Sequence, residues 1–343
     1  LVRYNERIRI AGELIPDERL GPLLEEVLDK TQFLRPSFFE ATIAATLHEF
    51  ARTDADATII EVGLGGRLDA TNVFSQPASV GIASLGIDHE RFLLAPEHGL
   101  PSGGLGRIAF EKAGIRRPEC PLVVQSNGEK ADSMIRALAL ADDIPLCLEG
   151  DGWSISASTS GYEYQDSNGT IAVPDPTLTG AHQARNAGLA IAMLLHQDAV
   201  PVSHAAIKSG ILSVKWPARL QRLKEGPLTG ARQTWLDGGH NRDAGEAVAE
   251  HFDEPLHLVL GMLDNKDPRA LLDPLGERVL SLTIVPVPGH DAHPVEAFGE
   301  GARAATDLED ALLNIPSDGR PILIAGSLYL AGEALRLNDE IPD

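Results

Sequence analysis

The stretch Asp56-Ala-Thr-Ile-Ile-Glu61-Val-Gly-Leu-Gly-Gly-Arg67-Leu-Asp-Ala-Thr-Asn72 decides the fold. Residues 57–60 are apolar and β-branched, which is typical of a buried strand in a parallel sheet. Glu61 then stands at the carboxyl end of that strand, where open α/β sheets bind their ligands. The glycines that follow let the backbone turn sharply and approach a ligand closely. The stretch therefore predicts a parallel α/β sheet with a functional site at the end of this strand.

The glycines fit two other interpretations as well. A Gly-rich turn after a strand is often only a tight connection, and the glycines alone leave that interpretation open. A dinucleotide-binding fold requires a third glycine at the proper distance and a helix that begins immediately afterwards. This stretch has neither, so its spacing excludes the dinucleotide fold.

Length and composition predict a globular protein of two domains. The chain has 343 residues, too many for one ordinary core, and 43% of them are hydrophobic. No apolar run reaches the roughly 18 residues that span a bilayer, and no secretory segment begins the chain, so we expect a cytoplasmic protein without membrane association. The net charge of −21 argues against nucleic acid as a partner. Cys120 and Cys147 lack metal-type spacing and are expected to be buried and reduced.

Residues 61–72, read whole, resemble the signature of folylpolyglutamate synthases and dihydrofolate synthases, which are ATP-dependent ligases related to the Mur cell-wall ligases. Further segments match this family in the same order along nearly the whole chain. The resemblance implies a Mur-ligase-like ATPase domain, incomplete at its N-terminus, followed by a doubly wound α/β domain. We place these domains at residues 1–213 and 218–343. The further matching segments are Glu111-Lys-Ala-Gly-Ile115, Gly180-Ala-His-Gln-Ala-Arg-Asn186-Ala, Trp216-Pro-Ala-Arg219, Asp237-Gly-Gly-His240-Asn241, Gly261-Met-Leu-Asp-Asn-Lys266-Asp267 and Gly326-Ser-Leu-Tyr-Leu-Ala-Gly-Glu333.

The start of the chain departs from the family pattern. Family members have a phosphate loop of the Gly-x-x-Gly-Lys-Ser type and a Ser-Pro-His before a segment like Leu1-Val-Arg3, and this sequence has neither. We expect that the first strand and helix of the ATPase domain, with the metal-binding serine, have been cut away. Because that loop supplies the amides and the lysine that cradle the triphosphate, the chain alone is expected to be inactive.

A metal site is predicted where two strands end. Residues 79–87 form a second apolar strand, and Asp88 and His89 follow it. A lone histidine after a strand is more often structural, but parallel neighbours would bring His89 close to Glu61. We therefore predict Glu61 and His89 as ligands of Mg²⁺, although imidazole is a less usual partner for so hard an ion.

Lys112 is the third predicted metal ligand and a predicted catalytic residue. The resemblance implies that it carries CO₂ as a carbamate, which turns a cation into an anion. Carbamate formation requires a neutral amine, so we expect Lys112 to be partly buried with a lowered pKa. Without the motif, Lys112 would be interpreted as a solvated helix lysine paired to Glu111.

The substrate pocket is predicted in two segments. Ser37 and Glu40 have the spacing of a capping box at the start of a helix. The resemblance adds that the segment of Ser37, Phe38, Phe39 and Glu40 contributes to the pteroate pocket, and the two aromatic rings offer a face for the pterin. The second segment, also assigned by resemblance, consists of Leu68, Asp69 and Ala70.

The nucleotide contacts are implied by the resemblance. Asn186 is expected to contact the nucleotide, Arg219 to neutralise phosphate oxygens of ATP, and Asp237 to contact the ribose, while His240 is assigned a catalytic role. On its own, Asn186 would be interpreted as a helix-packing residue. Ala218 stands where glycine is usual in the family.

Residues 94–104 look inserted relative to the family. Their proline and glycine content predicts a surface loop at the rim of the metal site, with His98 exposed to solvent. Residues 1–15 alternate well enough to predict an extended segment. Residues 244–343 alternate between helical and strand patterns, which predicts the doubly wound second domain.

The activity implied is the formation of an amide. ATP phosphorylates a carboxyl group, and the amine of L-glutamate attacks the acyl phosphate. The acceptor would be dihydropteroate, or a tetrahydrofolate that becomes polyglutamylated, and we expect a monomer. Two alternatives are a Mur-type peptidoglycan ligase and a non-catalytic folate-binding or nucleotide-binding remnant.

Overall fold

A computed structural model of the chain describes residues 1–87 and 90–342. The helices are α1 (Asp17–Thr31), α2 (Phe38–Phe50), α3 (Glu90–Leu93), α4 (Gly104–Ala113), α5 (Glu129–Ala141), α6 (His182–Leu195), α7 (His204–Ser213), α8 (Arg242–His251), α9 (Leu272–Leu275), α10 (Leu308–Leu313) and α11 (Leu328–Leu337). The strands are β1 (Arg9–Ile10), β2 (Glu13–Leu14), β3 (Val80–Ile82), β4 (Leu122–Val124), β5 (Leu146–Leu148), β6 (Trp153–Ser158), β7 (Gly161–Asp166), β8 (Gly169–Val173), β9 (Gln221–Arg222), β10 (Thr234–Leu236), β11 (Leu256–Leu260), β12 (Val279–Ile284), β13 (Ala302–Ala304) and β14 (Ile322–Ala325).

The chain divides into two compact units. The C-terminal unit contains Leu1–Arg7, Thr177–Gln183 and Val214–Asp343, and the N-terminal unit contains Ile8–Pro176 and Ala184–Ser213. The chain passes into the C-terminal unit for the last time at Val214, near the domain boundary predicted from the sequence. The domains 1–213 and 218–343 themselves stay a prediction.

The N-terminal unit is built on a parallel sheet with the strand order β3-β4-β5. Its strands are apolar because helices cover them: α4 and α5 contribute Ile108 and Ile135 to one core cluster that includes Leu122 of β4. A second cluster joins the next residue of β4, Val123, to α6 and to the antiparallel sheet β6-β7-β8. The alternation of these two clusters along β4 explains why this strand is buried on both faces.

The C-terminal unit is a doubly wound α/β sheet. Its strand order is β13-β12-β11-β14-β10-β9, with every neighbouring pair parallel except β10 and β9. One core cluster packs α10 and α11 against the sheet, and another packs α8 and α9. The return of β14 to a position between β10 and β11 reverses the strand order there, which is the kind of place where α/β sheets bind ligands.

Several predicted elements are confirmed. The helix at residues 17–31 matches α1, the strand at 256–260 matches β11, and the loop at residues 94–103 is irregular with His98 exposed. Residues 1–15 are not one extended segment: a 3-10 helix at Tyr4–Arg7 precedes the hairpin of β1 and β2. None of the described helices is long and apolar enough to span a membrane.

The predicted buried strand at residues 57–60 is wrong. These residues have no regular structure and do not pair with any strand in the described parts of the chain. The side chain of Ile59 is 93% exposed. A β-branched sequence forms a strand only when a neighbour supplies hydrogen bonds and other elements cover its faces, and residues 57–60 have neither here.

Candidate functional site

Residues 65–72 lie directly on the C-terminal end of α4. A Cβ atom added to Gly66 would come within 2.9 Å of the carbonyl oxygen of Lys112. One added to Gly114 would come within 2.4 Å of the Cβ atom of Arg67. The glycines therefore allow two backbones to pack closely, so at these positions they serve the tight connection that the sequence left open.

Asp69 folds the same segment into a turn. Its carboxylate accepts hydrogen bonds from the backbone N–H of Leu64 at 2.9 Å and from that of Thr71 at 2.9 Å. The side-chain amide of Asn72 donates to the carbonyl oxygen of Gly114 at 3.1 Å, which ties the end of the turn to the end of α4. The turn is therefore held by its own polar side chains.

Two arginines and two glutamates form a closed ring of ion pairs beside this turn, which we call the Arg–Glu ring. Arg67 donates to Glu111 through Nε at 3.0 Å and to Glu97 through Nη2 at 2.7 Å. Arg107 pairs with Glu111 at 2.8 Å and with Glu97 at 3.5 Å. The side chains of Arg107 and Glu111 are only 4% and 7% exposed, so both charges depend on these partners.

Lys112 is not paired with Glu111, because the carboxylate of Glu111 is occupied by the two arginines of the ring. Burial lowers the pKa of Lys112, and the negative charge of Asp69 partly opposes that effect. The structure records no hydrogen bond or ion pair of its ammonium with any described residue. The alternative of a solvated lysine paired to Glu111 is therefore wrong.

The predicted metal ligands are only partly covered by the structure. Glu61 is exposed, just before the Gly-rich turn, and no described residue pairs with its carboxylate. His89 lies outside the described residues. Among the residues that are described, no group of three or more His, Cys, Asp or Glu side chains could hold a metal ion. Glu61 offers the carboxylate oxygens that Mg²⁺ prefers, but the described residues alone do not form a complete site.

The first predicted substrate segment contacts the Gly-rich turn through Phe39. A Cβ atom on Gly63 would lie 2.3 Å from the Phe39 ring, so the start of α2 packs on the Gly-rich turn. The side chain of Phe38 is 64% exposed and that of Leu68 is 78% exposed. The capping box is confirmed, since Ser37 accepts from the N–H of Glu40 and Glu40 accepts from the N–H of Ser37. Ala70 and Asp69, both half-buried, belong to the second segment.

Asn186 lies in the first half of α6, in the N-terminal unit. Its side-chain oxygen accepts a hydrogen bond from Nε2 of Gln125 at 3.1 Å, and Gln125 directly follows β4. This contact places Asn186 near the carboxyl end of the parallel sheet. The position suits a ligand contact at that end as well as helix packing.

Asp237 is a buried carboxylate at the carboxyl end of β10. Its two oxygens accept from the backbone N–H of Leu220 at 2.8 Å and of Gly239 at 2.7 Å. Burial raises the pKa of Asp237, while these two hydrogen bonds and the charge of Arg219 lower it. Ala218 has φ of +57°, a left-handed conformation that favours glycine. Asp237 thus holds the tight loop that carries Arg219, whose side chain is exposed.

His240 follows the same strand, immediately before the N-cap of α8. Its Nδ1 is 3.2 Å from the carbonyl oxygen of Gly238, which indicates that Nδ1 carries a proton and donates to it. Asn241 caps the helix by accepting from the N–H of Ala244 at 2.9 Å. Arg219, Asp237 and His240 therefore stand in one region of the C-terminal unit.

The carboxyl ends of β14 and β11 lie beside the carboxyl end of β10. The N–H of Gly326, after β14, donates to the carbonyl oxygen of Gly239 at 3.1 Å. The N–H of Gly261, after β11, donates to Ala325 at 3.1 Å. A Cβ atom on Gly326 would approach the Gly261 oxygen to 2.7 Å. The matching segments that begin at residues 261 and 326 therefore meet the segment at 237–241 at one edge of the sheet.

Several residues of these sites were not predicted from the sequence. Arg107 and Glu111 have the i,i+4 spacing of a helical ion pair, a signal that was present in the sequence. Glu97 could not be predicted, because no local spacing rule relates a loop residue to Arg67 or to Arg107. His182 lies within the matching segment of residues 180–187, which assigned it no role. Burial lowers its pKa, its Nδ1 is buried without a hydrogen bond, and the charge of Asp237 acts on it.

Known proteins are similar to nearly the whole chain. The folylpolyglutamate synthase of Lacticaseibacillus casei is 31% identical over 96% of this chain and 80% of its own length. The dihydrofolate synthase/folylpolyglutamate synthase of Escherichia coli is 28% identical over 99% of this chain and 78% of its own. The crystal structure of Mycobacterium tuberculosis folylpolyglutamate synthase complexed with ADP and AMPPCP has a TM-score of 0.82 at 27% identity, and covers 100% of this chain and 84% of that one. No model of a protein family matches the chain.

The fold thus combines a Mur-ligase-like ATP-binding domain with a C-terminal α/β domain. This chain belongs to the folylpolyglutamate synthase family.

Proposed function

We propose that this protein is an ATP-dependent amide ligase that adds L-glutamate to dihydropteroate, to tetrahydrofolates or to both. The relatives that it matches over 80% and 78% of their own length are named for these two activities. The same similarity disfavours a Mur-type peptidoglycan ligase and a non-catalytic remnant. ATP is the proposed phosphoryl donor and Mg²⁺ the proposed metal ion. Cytoplasmic location and a monomeric state stay predictions from the sequence.

The observation that carries the proposal is the environment of Lys112. Its amine is half-buried, has a lowered pKa and makes no hydrogen bond or ion pair with a described residue, while the adjacent Glu111 is neutralised by two arginines. A lysine in this state more readily supplies the neutral amine that reacts with CO₂. We propose that Lys112 forms a carbamate and, with Glu61 and His89, holds Mg²⁺. Bound Mg²⁺ supplies positive charge to phosphate oxygens.

The C-terminal unit would contribute cationic and polar groups. Arg219 is exposed, and the next residue, Leu220, donates its backbone N–H to the carboxylate of Asp237, which holds the loop in place. The guanidinium of Arg219 is therefore free to reach phosphate oxygens. His240 donates from Nδ1 to a backbone oxygen, a contact that fixes the orientation of its ring. We propose that Asp237 and Asn186 contact the nucleotide. We also propose that the exposed ring of Phe38 and the exposed side chain of Leu68 contact the pterin-bearing substrate.

Glutamate-dependent release of phosphate from ATP, measured with dihydropteroate and with tetrahydrofolate as separate acceptors, tests the activity. The same purified protein is used for this assay and for equilibrium binding of dihydropteroate. We expect phosphate release only when ATP, an acceptor and glutamate are all present. Release with a nucleotide-sugar carboxylate, and with neither folate acceptor, would instead identify a Mur-type ligase.

Carbon-13 NMR with labelled bicarbonate tests the carbamate. We expect a carbamate signal that is lost in Lys112→Met and kept in Lys130→Met, which changes an exposed lysine of α5. The fraction of neutral amine rises with pH, and the lowered pKa of Lys112 shifts that rise to lower pH than for an ordinary lysine. The carbamate signal should therefore grow between neutral and moderately alkaline pH. An unchanged spectrum in Lys112→Met would exclude this residue as the site.

A further inference from the structure

The loop at residues 94–103 contacts the turn at residues 65–72 through the side chain of Glu97. The carboxylate of Glu97 accepts from Nη2 of Arg67 at 2.7 Å and lies 3.5 Å from Nη2 of Arg107. Both arginines also pair with Glu111. Glu97 is the member of the Arg–Glu ring that comes from the segment inserted relative to the family pattern.

The charge balance of the ring depends on Glu97. With it, two guanidinium groups face two carboxylates, and without it they would share the single carboxylate of Glu111. Both guanidinium groups also stand near the same ring of Phe110, at 5.7 Å and 5.8 Å from its centroid. Two cations this close repel one another unless enough negative charge lies between them.

Arg67 transmits this balance to the turn that follows it. Its backbone N–H donates to the carbonyl oxygen of Glu111 at 2.8 Å, and its carbonyl oxygen accepts from the side chain of Asn72 at 3.1 Å. Leu68, Asp69 and Ala70 lie between these two anchors. A shift of the Arg67 side chain would therefore move or loosen these three residues, which are predicted to contact the substrate.

We propose that Glu97 is a positioning residue, and that the loop at 94–103 uses it to hold Arg67 so that residues 68–70 keep the geometry that binds dihydropteroate. This proposal rests on the proposed function for its ligand. The coupling between the loop and the turn is independent of the proposed function, because it can be measured without any ligand.

Glu97→Gln removes the charge and keeps the size of the side chain. Glu97 is 48% exposed, so water screens its ion pairs and a moderate effect is expected. We expect amide hydrogen exchange of residues 64–72 to become about twofold to fivefold faster, and the Kd for dihydropteroate to rise by a similar factor of about twofold to fivefold. The melting temperature should change little, because the ring keeps its three other members.

His98→Gln is the matched control. His98 is the next residue of the same loop, is exposed and makes no hydrogen bond, ion pair or ring contact with a described residue. It should leave both the exchange rates and the Kd at their wild-type values. A second variant, Glu97→Asp, keeps the charge and should retain slower exchange than Glu97→Gln.

The outcomes separate the two proposals. Unchanged exchange of residues 64–72 in Glu97→Gln would overturn the coupling, as would an equal effect in His98→Gln. Faster exchange with an unchanged Kd would overturn the positioning role. If the wild-type chain binds no dihydropteroate but exchange still responds to Glu97→Gln, the coupling stands and the proposed substrate is wrong.

Discussion

Residues 57–60 and residues 63–72 are neighbours in the chain, yet only the second group is packed against the rest of its unit. The first group has strong β-forming residues, no hydrogen-bonded neighbour and an almost fully exposed Ile59. The second has little β propensity, but its glycines and Arg67 give it partners on α4, and Asp69 ties it together from within. Structure in this stretch follows from available partners and not from propensity.

We expect Glu111 to make the largest contribution to the stability of the packed residues 63–72 and of α4. Glu111→Gln leaves Arg107 buried with one distant carboxylate, and breaking a buried ion pair in this way costs about 3–5 kcal/mol of unfolding free energy. Glu163→Gln, on an exposed position of β7, is the control and should cost almost nothing. Chemical denaturation of both variants measures the difference, and equal midpoints would mean that the ring does not stabilise the unit.

The close approach of the two backbones gives a somewhat smaller effect. Gly114→Ala places a methyl group 2.4 Å from the Cβ of Arg67, and such overpacking typically costs about 1–3 kcal/mol. Gly106→Ala lies in α4 with nothing within 4 Å of the added atom, so it should be neutral or stabilise by up to about 1 kcal/mol. Thermal unfolding should therefore separate the two glycines in opposite directions. A Gly114→Ala protein as stable as the wild type would contradict the packing of the turn on α4.

The smallest effect compares one change in the two kinds of environment. Ile108→Val, at a fully buried position of α4, should cost about 0.5–1.5 kcal/mol through the lost methyl group. Ile59→Val removes the same group from a side chain in solvent and should be neutral. Denaturation midpoints of the two variants provide the test. A clear loss of stability in Ile59→Val would show that residues 57–60 are covered after all.

The sequence predicted the fold where periodicity and capping are local. The helix α1, the strand β11 and the capping box of Ser37 and Glu40 are each encoded within a few residues, and all three are confirmed. The metal site is different, since residues from separate segments must converge there. The exposed Glu61 shows that a carboxylate after an apolar run does not by itself establish a ligand.

The Arg–Glu ring could be predicted only in part for the same reason. Arg107 and Glu111 lie on one helix at the i,i+4 spacing of a helical ion pair. Arg67 and Glu97 lie outside that helix, and no spacing rule relates them to it. The roles of Arg219, Asp237, Asn186 and His240 came from resemblance to a family. The structure adds that Asp237 already uses both oxygens to hold backbone amides, a local task that no motif revealed.

The capping box at the start of α2 changes how mutational scans of this protein should be interpreted. The side chains of Ser37 and Glu40 are engaged with each other's backbone, and these hydrogen bonds lower the pKa of Glu40. We expect an alanine at either position to fray the helix turn that packs Phe39 on Gly63, so a loss of binding in such a variant would not by itself identify a contact with the substrate. Phe38, whose ring is exposed, takes no part in the cap, so among the predicted substrate residues of this segment it is the one whose substitution leaves the cap intact.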